Sequence, residues 1–355
     1  MNSITLGNGV VRLHLRWADA NGALARKSME FLQPWFVPVA DERAADLTLN
    51  LRPAAEFVAA RRARCVEPFV LRRSSAAIFN LEVRRGVSVE GLKLAWDEQR
   101  QVGYAIDAAA ACVDFYGEAG TAFIHLIELV RYYGLLTEQA HGTLILHSAA
   151  VRHRDTDEVV AIVGAKGAGK TTTMLSLLAS GGYVYFSGDK LLLDQVDGQL
   201  RVRGWPDYPH IGIGTLRNHV ELAQRLGVDF EAEDGTPLPD HHKVLLEPSR
   251  YLAAIGRPLQ AHGRLSRVVL PRIHEIGTAR QAALHRAEKE AVPPGDLFEW
   301  PHQFVTATWH DLPWATRTYA AQVCSGVMRA LQDLPWNYRF GMDAASEARA
   351  AEEAL

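Results

Sequence analysis

Apolar and polar residues alternate at period two along the first third of the chain. Residues 46–51 (Asp46-Leu47-Thr48-Leu49-Asn50-Leu51) do so cleanly and residues 10–15 in part, which predicts strands with one buried face. Similar patterns occupy residues 77–83 and 91–96, and the polar run 97–101 is placed to fold the latter back onto 102–106. Phe123, Ile127, Val130 and Leu135 then follow a helical pattern, which predicts a helix over 119–137. His125 falls inside it and reads as a structural histidine.

The pattern sharpens from residue 144. Residues 144–151 and 159–163 form two apolar runs separated by the polar stretch 152–158. A link that short predicts an antiparallel hairpin, because a parallel crossover takes about a dozen residues or more. A glycine-rich loop follows the second run directly. A short helix is expected over 171–180, with Met174, Leu175, Leu177 and Leu178 near one face and Gly181-Gly182 ending it. A third strand, 183–186, leads into Ser187-Gly188-Asp189. Beyond it, 222–226 reads as helix, and 268–270 is the clearest strand, stopping before Pro271. The Ala/Glu-rich residues 343–355 read as a frayed terminal helix. The fold class expected is α/β, with a mixed α/β N-terminal domain over 1–140, a second domain over 141–342 and a tail over 343–355.

Composition narrows the partners. A chain of 355 residues, 48% hydrophobic, is long enough for two domains. A formal charge of −3 gives no reason to expect nucleic acid or an anionic membrane as partner. Arg61-Arg62-Ala63-Arg64 reads as solvated surface. Cys65, Cys112 and Cys324 form no CxxC pair, so neither a zinc knuckle nor a disulfide framework is expected. With no signal-peptide pattern at the N-terminus and no apolar run of about 18 residues, the expectation is a cytoplasmic protein with no membrane partner. A homo-oligomer is left open.

The chemistry is concentrated at Gly164-Ala165-Lys166-Gly167-Ala168-Gly169-Lys170-Thr171, followed by Thr172. This meets G-x-x-x-x-G-K-[ST] in full, between a strand and a helix. Glycines let successive backbone amides point at phosphate oxygens. Lys170 supplies charge to the β- and γ-phosphates, and the Thr171 hydroxyl is placed to ligate Mg²⁺. The positive end of the helix favours the same anion. Two aspartates follow: Asp189, straight off the strand after the loop helix, and Asp194, after Leu191-Leu192-Leu193. Asp189 is preferred, because Asp194 lies further along a new strand. Its carboxylate can hold the metal or accept the proton of an attacking hydroxyl.

The segment resembles the HPr kinase/phosphorylase-like kinases, whose P-loop fold is shared with PEP carboxykinases. Leu146-His147-Ser148-Ala149-Ala150-Val151, the loop 164–171 and Ser187-Gly188-Asp189 carry the resemblance, over roughly residues 144–193. It implies a P-loop kinase domain of the HPr kinase/PEP carboxykinase type, using ATP and Mg²⁺ to phosphorylate a hydroxyl-bearing acceptor such as a peptide or protein serine or a small metabolite. Asp189 matches the second residue of the family's usual Asp-Asp pair and would be the base; Gly188 replaces the first. His147 matches a histidine that would lie near the phosphates, although a buried strand histidine fits equally well. The family's glycine-rich segment after Glu-Ile-Arg is absent, Arg203-Gly204-Trp205-Pro206 being a faint echo, so phosphorylase activity is not expected. The N-terminal half is expected to bind the acceptor.

Weaker candidates remain. Asp240-His241-His242-Lys243 reads as a loop near the site, with Lys243 a candidate phosphate contact. Any of Arg257, Arg264, Arg267 and Arg272 could add charge to the transition state. Trp205-Pro206-Asp207-Tyr208-Pro209-His210 reads as a rigid loop, over the site or elsewhere. The rivals to a kinase are a nucleotide-binding switch or hydrolase without acceptor, and a binding module that holds ATP structurally.

Overall fold

The leucines that alternate through residues 47–51 are all buried, and the polar residues between them are not, so this strand has one face in a core. In the computed structural model the described residues are 1–40, 44–74, 76–273, 280–293, 297–314 and 317–341, with side chains omitted for 317–324. The tail 343–355 and the Cys324 side chain lie outside them. The chain divides into two compact units, one comprising Met1–Gly142 with Trp300–Ala321, the other Thr143–Glu299 with Gln322–Leu355. Both are mixed α/β.

The first unit holds β1 (Asn2–Gly7), β2 (Arg12–Trp17), α1 (Gly22–Leu32), β3 (Val37–Pro38), β4 (Leu47–Arg52), α2 (Ala54–Ala60), β5 (Glu67–Arg72), β6 (Leu81–Val87), β7 (Lys93–Asp97), β8 (Val102–Asp107), β9 (Cys112–Tyr116) and α3 (Ala119–Ala140). Its sheet runs β3-β1-β2-β4-β9-β8-β7-β6-β5, with β2, β4 and β9 parallel and the rest antiparallel. The β7–β8 hairpin forms as expected. The strand expected over 77–83 begins only at Leu81. Residues 77–79 form a 3₁₀ turn instead, with the Ile78 and Asn80 carbonyls accepting from the Arg100 guanidinium.

His125 is fully buried in α3. Asp97 accepts from its Nε2 at 2.9 Å and the Tyr104 hydroxyl meets its Nδ1 at 2.8 Å, which assigns the neutral ring a structural part. Among the basic residues read as surface, Arg62 pairs with Glu98 and Arg61 donates to the Tyr116 hydroxyl.

The second unit holds β10 (Leu144–His153), β11 (Glu158–Val163), α4 (Lys170–Ala179), β12 (Tyr183–Ser187), β13 (Lys190–Val196), β14 (Gln199–Gly204), β15 (His210–Gly212), α5 (Ile213–Arg217), α6 (Val220–Leu226), β16 (Lys243–Leu245), α7 (Pro248–Ile255), β17 (His262–Arg272), β18 (Arg280–Ala283), α8 (Arg286–Glu290) and β19 (Phe298–Glu299). A short α9 (Val305–Thr308) belongs to the first unit; α10 (Arg317–Asp333) and β20 (Trp336–Phe340) follow it. Strands β11-β10-β13-β14-β17 pair in that order, and β17 also pairs with β11, closing them into a ring. The β10–β11 hairpin is antiparallel, as the short link requires.

Strand β17 runs through Pro271 rather than stopping before it. The β11 pairing ends at Val269, and Pro271 Cδ lies 3.7 Å from where a Cβ on Gly164 would stand, so the missing N–H faces the loop and not a ladder.

Candidate functional site

Strand β10 organises the site because it has neighbours on both edges. Strands β12 and β13 run end to end along one edge, and β11 and β19 along the other. On that second edge β11 ends with Val163 opposite Ser148, and β19 takes over with Phe298 opposite Leu146. His147 falls in the gap. The glycine-rich loop leaves β11 at this gap, and on the other edge the chain bends at Gly188-Asp189 between β12 and β13. His147 lies directly across from Lys190, and Ile145 directly across from Glu299, so His147, Lys190 and Glu299 share one face of the sheet.

Four side chains meet there. Lys190 Nζ lies 2.5 Å from Asp189 Oδ2 and 3.0 Å from Glu299 Oε2. His147 Nε2 is 3.5 Å from Asp189 Oδ1, and its Nδ1 is 3.6 Å from Glu299 Oε1, within ion-pair reach but long for hydrogen bonds. The Lys190 side chain is only 5% exposed, whereas Asp189 is 41% exposed and faces solvent. Burial lowers the His147 pKa below its ordinary value. Lys170 and Lys190 push it the same way while Asp189 and Glu299 oppose them. The ring is therefore neutral at pH 7 and can donate to one carboxylate at a time.

The loop takes the conformation its glycines allow. Gly169, the residue preceding α4, has φ +102°, and a Cβ there would stand 2.4 Å from Ile273 Cδ1, so both backbone and space require glycine. Ala165, Lys166 and Gly167 are exposed, and Gly164, Ala168, Gly169, Lys170 and Thr171 half-buried. Lys170 Nζ donates back to the loop carbonyls of Gly164 at 2.7 Å and Ala165 at 3.3 Å. Burial lowers the Lys170 pKa. Asp189 and Glu299 oppose that shift, and Lys243 and Lys190 reinforce it, which brings this ammonium into the field of the cluster. The Thr171 hydroxyl has no hydrogen-bond partner among the described residues. Thr172 is buried, its hydroxyl 2.9 Å from that of Thr215, which ties α4 to α5.

Asp194 sits away from this cluster, accepting from Thr143 at 2.8 Å and from Arg203 at 2.7 Å. The 205–210 segment packs beside the Gly188 bend. Trp205 N donates to Ser187 Oγ at 3.3 Å, and Tyr185 donates to Asp207 at 3.2 Å. Lys243 is exposed at the start of β16. Arg264 pairs with Glu158, and Arg272 lies 5.1 Å from the Tyr338 ring centre. No three His, Cys, Asp or Glu side chains among the described residues are grouped to hold a metal ion.

Sequence reasoning missed Lys190, Glu299 and Asp207. Lys190 had a local signal, a lysine heading the otherwise apolar run 191–193. Asp207 was named only as a member of the 205–210 loop, with no role of its own, and Glu299 had no signal, since it arrives from a distant segment.

No protein-family model matches this chain, and no curated protein is similar to it at a significant level.

Proposed function

We propose that the chain is an ATP- and Mg²⁺-dependent kinase that transfers the γ-phosphoryl group to a hydroxyl. The observation that supports it is a glycine-rich loop opening a ten-residue helix whose first residue, Lys170, lies in the electrostatic field of Asp189 and Glu299. A loop of this sequence with α4 behind it suits phosphate. An exposed carboxylate beside it suits a group that takes a proton.

In this reading Lys170 exchanges its bonds to Gly164 and Ala165 for phosphate oxygens. The Asp189 carboxylate accepts the proton of the acceptor hydroxyl as its oxygen attacks phosphorus, and ADP leaves. The donor set near the loop is a hydroxyl, Thr171, and a carboxylate, Asp189. Such oxygen donors fit Mg²⁺, which is commonly bound through one or two protein oxygens together with substrate phosphates. Thr171 and Asp189 would hold the ion, which when bound would supply positive charge against the charge that develops on the transferring phosphoryl group. Because the transition state is loose, positioning and charge neutralisation supply most of the rate. The acceptor is a hydroxyl on a peptide, a protein or a small metabolite.

The test is to incubate the protein with γ-labelled ATP and an extract of its host, and to identify by mass which molecule gains phosphoryl. Labelled phosphate released into water with no labelled acceptor would instead favour a hydrolase or switch. Tight ATP binding with no turnover would favour a binding module.

A further inference from the structure

The candidate base does not stand alone: its sequence neighbour Lys190 holds it, and Glu299, which holds Lys190, comes from a distant segment. Lys190 is the more buried partner. Its ammonium sits between Asp189 Oδ2 at 2.5 Å and the Glu299 carboxylate, donating to Oε1 at 3.2 Å with Oε2 at 3.0 Å, and the same Oε1 approaches His147 Nδ1. A buried ammonium remains only where carboxylates compensate it, and a carboxylate held by a fixed cation loses rotational freedom. One Asp189 oxygen is therefore tethered, while the other faces His147 Nε2. Glu299 reaches this position because β19 extends the ladder along β10 past the end of β11. Without β19 the outer side of Lys190 would lack its second anion.

The geometry points to Lys190 and Glu299 as positioning residues of the phosphoryl transfer: Glu299 anchors Lys190, and Lys190 clamps Asp189 Oδ2 so that Oδ1 is presented beside His147. This rests on the kinase reading above. Neither residue touches phosphate in this assignment. Their loss should therefore appear in turnover rather than in nucleotide affinity. Lysine and arginine can both deliver a cation to Asp189, whereas methionine fills the space without charge.

The experiment compares Lys190→Met, Lys190→Arg and Glu299→Gln with the full-length wild type. It reads kcat, KM for ATP and binding of a fluorescent ATP analogue, and adds crystal structures of Glu299→Gln and of the wild type. Lys190→Met is expected to lower kcat roughly 100-fold, within the range found for acid–base groups, while analogue affinity changes less than about threefold. Lys190→Arg should recover at least about a tenth of the wild-type rate. Glu299→Gln, which keeps the shape of the side chain, should lower kcat about tenfold and shift the Asp189 carboxylate from its place beside His147 in the crystal.

A purely structural pair would lower the yield of folded protein but leave kcat per folded site unchanged, which would overturn the proposal. Equal losses in the Met and Arg variants would overturn it too. If the wild type itself transfers no phosphoryl group, the kinase reading fails. The positioning claim is then decided by the Glu299→Gln crystal structure alone, where an unmoved Asp189 carboxylate would refute it.

Discussion

Asp207 Oδ2 lies 2.4 Å from the point where a Cβ on Gly188 would stand, so a carboxylate from the loop after β14 fills the space that a side chain at residue 188 would take. The same Asp207 accepts from the Tyr185 hydroxyl, and Tyr185 is fully buried and stacked edge-on against Tyr251. Glycine at 188 is thus required by close approach rather than by backbone conformation. The tertiary structure thus brings the carboxylate of Asp207 against residue 188.

Gly188→Ala should therefore destabilise the second unit by about 1–3 kcal/mol, the usual cost of overpacking. In an Asp207→Gly background, where the Tyr185 hydroxyl has already lost this partner, Gly188→Ala should cost much less. A double-mutant cycle on urea midpoints checks it, and simple additivity of the two changes would refute the contact.

The loop glycines should differ in their tolerance. Gly167 and Gly169 both have positive φ, but a Cβ on Gly167 would meet nothing, while one on Gly169 would collide with Ile273. Gly167→Ala should cost about 1–2 kcal/mol through backbone strain alone. Gly169→Ala should cost more and should weaken binding of an ATP analogue further, because the start of α4 must move. Titration of the two variants side by side reads the difference.

Lys170 and Asp189 should separate binding from transfer. Lys170→Ala removes charge-assisted hydrogen bonds and should weaken ATP binding about 10- to 100-fold. Asp189→Asn should leave ATP affinity within a few-fold and slow transfer about 100- to 10,000-fold. Transfer by the Asn variant at near wild-type rate would show that another group takes the proton.

Acid should loosen the first unit in two windows. Burial pushes the His310 pKa down to about 3, with Lys93 adding to the shift. The unfolded chain, with an ordinary histidine near 6.5, therefore binds more protons between pH 6.5 and 3, and stability falls as pH drops through that range. Asp97 follows at lower pH. Burial alone would raise its pKa, but hydrogen bonds from His125 and from the Arg100 backbone and side chain outweigh that and hold it at about 2. Its stabilisation is complete above the unfolded value of 3.8 and is lost as pH falls through about 2. Each group contributes at most about 1.4 kcal/mol per pH unit. Urea midpoints measured from pH 7 to 3 should decline steadily, and His310→Phe should flatten the decline above pH 4.

The second domain's opening was largely legible because its interactions are local. The β10–β11 hairpin, the loop and α4 follow one another in sequence, and the short polar stretch 152–158 leaves only the antiparallel solution. The leucines of β4 were equally legible, since alternation is a property of consecutive residues. The reading at 77–83 failed because apolar content there is compatible with strand, while the Arg100 guanidinium, some twenty residues away, takes the Ile78 and Asn80 carbonyls. Pro271 was misread as a stop because its tolerance depends on where β11 ends.

By itself, the sequence determined the α/β class, the glycine-rich loop and the strand, loop and helix that follow one another around it. Only the tertiary structure decided the company that Asp189 keeps. Lys190 is its neighbour in sequence, but the lysine's burial against Glu299 depends on a strand more than a hundred residues later joining the edge of β10. Asp207 reaches Gly188 only because β14 returns along β13. Charge pairing and close packing act through space, and a single strand register can bring together groups that no local pattern connects.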